Sequence, residues 1–328
     1  MSDAGLSATQ AGPASLGGPE RVQRAIAVME RYGGTVPGFR RAHGRGIVCR
    51  GYFTATPEVA ALTTAEHMQG DRIETVVRLS NSASSPYGGD RKTVLGLGVR
   101  FKLPSGGHAG WASLTLDRAP FRVPDDFIAL QAATRRGRNG QPNPLRIAAH
   151  IVTHIQSFPG MLRALRAPSS QSFAHGLFNG LNAYFLVDEE GRSRAFRYRW
   201  IPSETATALT AQQERTYPPQ YLVSELRNRL AEAPVSWTLT FQMAEPDDPT
   251  DDVTKVWPSS RRQITAGSLV IERPHDDVEL ADSLMFDPTE VPPGIELSDD
   301  PILHFRGAAY EESRRRRATE SRPAIGPG

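Results

Sequence analysis

Apolar and polar positions change period along the chain, and the changes mark out its elements. From Pro19 to Tyr32 apolar residues recur at helical spacing (Val22, Ile26, Val28, Met29), which predicts a leading helix. A strand-like run follows from Ile47 to Thr56, then a short helix over 57–68. Glu74 to Ser80 alternates as a strand, Val94 to Pro104 reads as a glycine-bearing strand, and Trp111 to Asp117 alternates again. Helical spacing returns over Pro124 to Thr134 and over 144–166, separated by a polar loop rich in Arg, Asn and Gly. Leu181 to Ile201 holds two alternating runs around Asp188-Glu189-Glu190-Gly191, a hairpin signal. Pro218 to Ala231 is an amphipathic helix, Val235 to Met243 alternates strictly, and Gly267 to Arg273 supplies a last strand. A final helix is predicted to start at Pro301 and to run through Tyr310. Seven or eight strand candidates, mostly consecutive and bounded by turns, predict an antiparallel β-barrel with added helices, an α+β fold.

Composition narrows the class. The 328 residues bury a substantial core, and Gly 29 and Pro 26 are high counts that fit many loops. Charged residues make up 23% and net charge is +2, so no global field favours nucleic acid or acidic membranes. The single cysteine, Cys49, excludes an intrachain disulfide and multi-cysteine metal sites, and fits a reducing, cytoplasmic setting. No run approaches the ~20 apolar residues of a membrane helix. Residues 1–18 lack the apolar core of a signal peptide and are expected to be a flexible tail, as are residues 318–328; one domain is expected over 19–317.

Several side chains could carry chemistry. Arg306 and Tyr310 stand four apart, so on a helix they share one face, where a guanidinium stabilises a neighbouring phenolate. Arg194 and Tyr198 repeat the spacing in a strand, so alone it is an ordinary packing pair. His43 lies at a loop–strand junction, a setting that is ordinarily structural. His150 and His154, also four apart, could share a metal or simply decorate a helix surface; no third ligand is evident. Gly96-Leu97-Gly98 lacks the third glycine of a dinucleotide loop. Arg314 to Arg317 is a basic run that is ordinarily solvated.

Five segments taken together change this. They are Arg40-Arg41-Ala42-His43 with the glycine-rich strand after it, Val77-Arg78-Leu79-Ser80, Asp251 to Pro258 (DDVTKVWP), Val291 to Glu296 (VPPGIE), and the Arg306 to Tyr310 helix. In order and spacing they resemble the haem catalases, and most closely the small core-only catalase-related peroxidases. The resemblance covers residues 35–317 and implies an eight-stranded barrel with haem b between its outer wall and the last helix. It implies Tyr310 as axial iron ligand, the known ligation in catalases, with Arg306 as its charge partner. It implies His43 on the opposite face, Ser80 fixing the His43 tautomer, Phe127 near the cofactor, and Arg40, Arg78 and Arg317 (with Arg314 as a second candidate) at the propionates.

Two departures bear on activity. Leu79 replaces the family's usual aromatic, and Ala112 to Asp117 stands where catalases carry a Gly-Asn-Asn stretch, so the peroxide-orienting amide is missing. The resemblance then implies a peroxidase that reduces hydrogen peroxide or organic hydroperoxides with organic donors and has weak catalase activity. A minimal catalase, a hydroperoxide-rearranging enzyme and a haem carrier are the alternatives. The implied partners are peroxide and a small organic reductant; a homodimer is open, and no NADPH, nucleic acid or membrane is expected.

Overall fold

In the computed structural model, which describes residues 18–135, 137, 141–277, 280 and 283–320, ten strands form one antiparallel sheet. They are β1 (Gly46–Ala55), β2 (Arg72–Asn81), β3 (Leu95–Lys102), β4 (His108–Leu114), β5 (Phe178–Asn179), β6 (Tyr184–Val187), β7 (Ser193–Pro202), β8 (Val235–Met243), β9 (Gln263–Pro274) and β10 (Ile295–Leu297). The order β7-β5-β4-β3-β2-β1-β9-β8, with β8 paired back on β7, closes eight strands into a barrel, while β6 and β10 extend the sheet beside β7. Closure removes the exposed edges that an open sheet would present. The helices are α1 (Pro19–Gly33), α2 (Pro57–Ala60), α3 (Pro124–Thr134), α4 (Pro144–Thr153), α5 (Ser157–Leu165), α6 (Ala211–Thr216), α7 (Leu222–Glu232) and α8 (Pro301–Ala318).

The expected elements are present with shifted ends. The helix expected over 57–68 is two separate turns, α2 and Glu66–Met68. The helical region 144–166 breaks at His154, whose φ of −134° leaves the helix before α5 begins. Strand β4 stops at Leu114 because Thr115 turns back to Leu95, donating its N–H to the Leu95 carbonyl and accepting the Leu95 N–H on Oγ1. Helix α8 runs to Ala318, and Glu320 beyond it is hydrogen-bonded, so the ordered chain extends past 317; the rest of both expected tails, 1–17 and 321–328, lies outside the described residues.

Alternation along the strands separates two environments. Val77 and Leu79 of β2, Leu97, Val99 and Phe101 of β3, and Trp111 of β4 point into the barrel, whose interior is aromatic. Trp111 is its hub, with Tyr198 at 4.5 Å, Phe101 at 5.6 Å and Phe241 at 5.8 Å between ring centroids. The intervening residues face outwards and register across the sheet as two rows, Ser80–Gly96–Leu114 and Arg78–Gly98–Ala112. Outside the barrel, α1, α3 and α8 share an apolar seam of Val22, Ile26, Ile128, Phe305 and Ala309. One join in the ring is short. Strand β5 contributes one pair to β4 (Leu114 with Asn179) and two to β7, and the Asn179 side chain extends the join by donating to the Leu116 carbonyl at 3.0 Å.

His67 is fully buried against Phe101 at 4.7 Å, and neither ring nitrogen has a hydrogen-bond partner among the described residues. Burial pushes its pKa down from 6.5 to about 3. The folded protein therefore takes up this proton only near pH 3, whereas the unfolded chain does so below about 6.5. The stability it contributes is full above 6.5 and is lost as pH falls towards 3. His67→Leu should remove ~2 kcal/mol of the stability lost between pH 7 and pH 5, at ~1.4 kcal/mol per unit. Urea midpoints of wild type and variant at the two pH values check this; parallel losses would refute it.

Candidate active site

The outer rows of β2, β3 and β4 form one wall of a cavity of about 500 Å³, and α8 forms the facing wall. His43, Ser80, Arg40, Arg78, Phe127, Arg306, Tyr310 and Arg317, all singled out by the sequence, line this one space. Its remaining lining is largely apolar, with Leu114, Leu116, Phe121, Val253, Phe286 and Phe305 among the contributors.

Helix α8 starts where Asp300 caps it, Oδ1 accepting the N–H of Ile302 at 2.8 Å and of Leu303 at 3.4 Å, with Pro301 in the first turn. From that start, the four-residue spacing delivers Arg306 and Tyr310 to the cavity. Arg306 Nη2 donates to the Tyr310 oxygen at 2.9 Å, and Nη1 donates to Asn182 Oδ1 at 3.0 Å. Asn182 in turn donates to Asp300 Oδ2 at 2.9 Å. The capping carboxylate, the amide, the guanidinium and the phenol thus form one relay from helix start to cavity. Burial opposes the Arg306 charge, but the Tyr310 oxygen, followed by Tyr184 and Tyr198, outweighs it and raises the Arg306 pKa. Burial of Asp300 raises its pKa despite its bonds to Asn182 and the helix N–H groups. No local pattern marked Asn182; the Asp-Pro pair at 300–301 is a cap signal that could have drawn attention to Asp300.

On the facing wall His43 adopts a left-handed backbone, φ 54°, unusual for a side chain of this size. Two contacts hold it: Arg78 Nη2 donates to the His43 carbonyl at 2.5 Å, and the Gly44 N–H donates to the Ala83 carbonyl at 2.7 Å. His43 Nδ1 lies 3.1 Å from Ser80 Oγ, which leaves Nε2 for the cavity. A Cβ at Gly96 would come within 2.9 Å of the imidazole, so the glycine makes the seat in which the ring lies. Gly98 does the same for Phe286, at 3.0 Å, so Gly96-Leu97-Gly98 is a strand with two seats and no nucleotide loop. Burial, then the charges of Arg78, Arg306 and Arg40, push the His43 pKa down from 6.5 to about 3. The ring is neutral across the physiological range.

The arginines divide by location. Arg40 Nη2 donates to the Leu284 carbonyl at 2.5 Å, and Arg317 Nε to the Ser313 carbonyl at 3.4 Å; both reach the cavity. Arg314 turns away and pairs with Glu311 on the surface, so of the two candidates in the basic run the cavity receives Arg317. Arg41, beside Arg40, is buried between Glu30 of α1 at 2.8 Å and Glu320 beyond α8, and Gly38 N–H also donates to Glu320 at 2.8 Å. The segment carrying His43 is therefore tied to the end of the helix carrying Tyr310. The sequence reading missed this tie, because Glu320 lay in the expected tail.

The segment Ala112 to Asp117 offers the cavity no polar donor. Ser113 donates to the Leu97 carbonyl at 3.0 Å, Thr115 bonds Leu95, and Asp117 pairs with Arg118 and Arg163 elsewhere. Ala112, Ser113, Leu114 and Leu116 line the cavity, with the Ser113 hydroxyl committed to the Leu97 carbonyl. DDVTKVWP supplies Val253 to the lining and otherwise wraps Arg197, which donates to the carbonyls of Lys255 (2.5 Å) and Asp252 (3.0 Å) and sits over the Trp257 ring at 4.6 Å. In VPPGIE, Gly294 (φ 88°) brings the chain against Thr64 and Ala65, where a Cβ would be 2.2 Å from the Ala65 nitrogen. His150 and His154 stack at 4.4 Å, with His154 Nε2 3.5 Å from Asp126, and His150 is buried; among the described residues no cluster of three metal-ligating side chains forms.

The tie through Arg41 predicts a cost when it is broken. Arg41→Met leaves Glu30 and Glu320 without their shared partner and should lower the stability of the cofactor-free protein by about 2 kcal/mol or more. Urea unfolding measures it, and a change within experimental scatter would refute the tie.

A family model described as Catalase matches residues 34–325. A protein named "Catalase-related peroxidase" from Mycolicibacterium paratuberculosis is 34% identical over 93% of this chain and 97% of its own length. Another of that name from Synechococcus elongatus is 27% identical over 89% of this chain and 86% of its own. "Catalase isozyme 3" of Zea mays is 26% identical over 85% of this chain, which spans only 60% of that protein. Among solved structures, catalase A from Saccharomyces cerevisiae superposes with a TM-score of 0.78 at 18% identity, covering 89% of this chain and 63% of that one. A fungal catalase gives 0.77 at 19% identity, covering 89% and 61%. At such identity the two structures speak for the fold alone.

Proposed function

The chain belongs to the catalase family, and we propose that it is a haem-dependent peroxidase whose cofactor, haem b, lies in the cavity between the barrel wall and α8. The observation that carries this reading is the pairing of an arginine-backed phenol on one wall with a neutral, seated imidazole on the other. The residues fit a flat macrocycle bearing two carboxylates. The lining is largely apolar, Gly96 and Gly98 leave His43 and Phe286 their seats, and Arg40, Arg78 and Arg317 offer charge to carboxylates. Tyr310 would ligate the iron, with Arg306 stabilising the ionised phenol. When bound, the haem supplies the redox chemistry with peroxide; the protein supplies binding, orientation and proton handling.

His43 handles the proton. Its neutral Nε2 accepts a proton from the oxygen of peroxide nearest the cofactor and returns it to the outer oxygen, which leaves as water, or as an alcohol from an organic hydroperoxide. Ser80 holds the other ring nitrogen and fixes which one faces substrate. Arg78, bonded to the His43 carbonyl, keeps the left-handed backbone that aims the ring. The apolar stretch at Ala112 and Leu114 supports peroxidase over catalase activity. A second peroxide acting as reductant lacks a donor to orient it, and misplacement by about 1 Å can cost ~10²-fold. An organic donor needs only to approach the cofactor edge. Among the described residues no helix is long and apolar enough to cross a membrane; the lone buried Cys49 fits a reducing, cytoplasmic location.

Haem titration of Tyr310→Phe should show lost or grossly altered binding; a ferric spectrum matching wild type would refute the ligand assignment. Haem-loaded wild type should oxidise small aromatic donors readily with peroxide and evolve little oxygen from peroxide alone. Oxygen evolution per haem equal to that of a full-length catalase would overturn the peroxidase reading. His43→Ala should retain haem and lose peroxide turnover by ~10²-fold or more, the scale of a lost general acid–base group.

A further inference from the structure

The outward face of α4 is built the wrong way round for a helix in water. Leu145, Ala148, Ala149 and Val152 recur at i, i+3, i+4 and i+7, and all four are exposed, Leu145 at 78% and Val152 at 81%. The opposite face buries His150 to 5%. A surface helix ordinarily does the reverse. Along the sequence, exposed apolar residues continue with Ile155 (68%), Phe158 and Leu165 (77%), so half of the exposed large apolar side chains among the described residues fall between 145 and 165.

The charge of the same region is as one-sided. Between Asp126 and Asp188 the chain has six arginines and three histidines and not one aspartate or glutamate. With 36 acidic residues in 328, a run of that length would hold about seven. Arg146, Arg163 and Arg166 flank the apolar stripe on α4 and α5 and at the α5 end. The acids facing the pair from neighbouring elements are already engaged: Asp117 with Arg118 and Arg163, and Asp126 with His154 and the N-terminal turn of α3.

We propose that α4 and α5 form a membrane-surface docking site, with Leu145, Val152, Ile155, Phe158 and Leu165 dipping into the interface of an anionic lipid bilayer and the flanking arginines meeting its headgroups. An apolar stripe flanked by arginines is the arrangement that lies in the plane of such an interface. A second copy docked face to face would set arginines against arginines with no carboxylate in the run to pair them. The overall charge of +2 hides this segregation, so the membrane enters as a partner through local charge distribution. Helix α5 also gives Ala164 to the cavity wall, which places the docked face next to the candidate active site. The proposal stands independently of the peroxidase reading.

The full chain supplies its own probe site. Cys49 is buried, and burial pushes its thiol up to about 12, so a fluorophore reacts selectively with Val152→Cys. Mixed with vesicles of phosphatidylglycerol and phosphatidylcholine in equal parts, the labelled protein should shift its emission to the blue and co-float. Binding should fall at least about tenfold on pure phosphatidylcholine, in high salt, and in Val152→Glu. The circular dichroism and urea midpoint of Val152→Glu should match wild type, which shows that the variant folds. Three outcomes would overturn the proposal: no flotation with anionic vesicles, equal binding to neutral ones, or a label already blue-shifted without lipid. The last, with a doubled mass lost in Val152→Glu, would assign the face to a second copy.

Discussion

A partly buried guanidinium with no carboxylate among its hydrogen-bond partners in the described residues sets the terms for the α8 side of the cavity. Burying an ion is costly unless its hydrogen-bonding groups are met. Arg306 meets this with an amide on one side and a phenol on the other. The amide is useful only because Asp300 orients it, and Asp300 is also the cap that decides where α8 begins. One carboxylate therefore fixes both the helix register and the charge four residues upstream of Tyr310. The two other phenols near Arg306 are occupied with backbone carbonyls, Tyr184 with Pro288 and Tyr198 with Ala112, and burial raises their pKa values. Of the three phenols, Tyr310 alone accepts a hydrogen bond from the guanidinium.

The facing wall obeys a different constraint, the period of a strand. Because alternate residues leave by opposite faces, Val77 and Leu79 can fill the barrel while Arg78 and Ser80 serve the cavity from the same strand. The glycines opposite them in register are the space that His43 and Phe286 occupy. Functional and structural demands on β2, β3 and β4 are thereby kept apart residue by residue.

That separation explains what was legible in the sequence. Alternation showed the long strands, and the Pro301 start with the Arg306–Tyr310 spacing showed α8, because period and helix starts are local. The barrel was expected, but the strand that completes its ring was not, since β5 has two residues and no period to detect. Asn182 sits between β5 and β6 with nothing local to distinguish it, and its role exists only once α8 packs against the barrel. The burial of His150 was missed because α4 inverts the usual rule for which face points inwards. DDVTKVWP was recognised as a motif, but its physical content, a loop wrapped around Arg197 from β7, needed the fold.

The short β5 join makes the barrel unevenly stiff. Every other seam of the ring runs for at least seven residue pairs, whereas β4 meets β5 through one and β5 meets β7 through two. Opening of a ring concentrates where the fewest bonds must break together. Leu114, the residue at that seam, also belongs to the cavity wall. The molecule thus has a compliant side, where the barrel can breathe and loosen the cavity wall at Leu114. Its stiff side is α8, where the Tyr310 phenol is braced by the Asp300–Asn182–Arg306 relay.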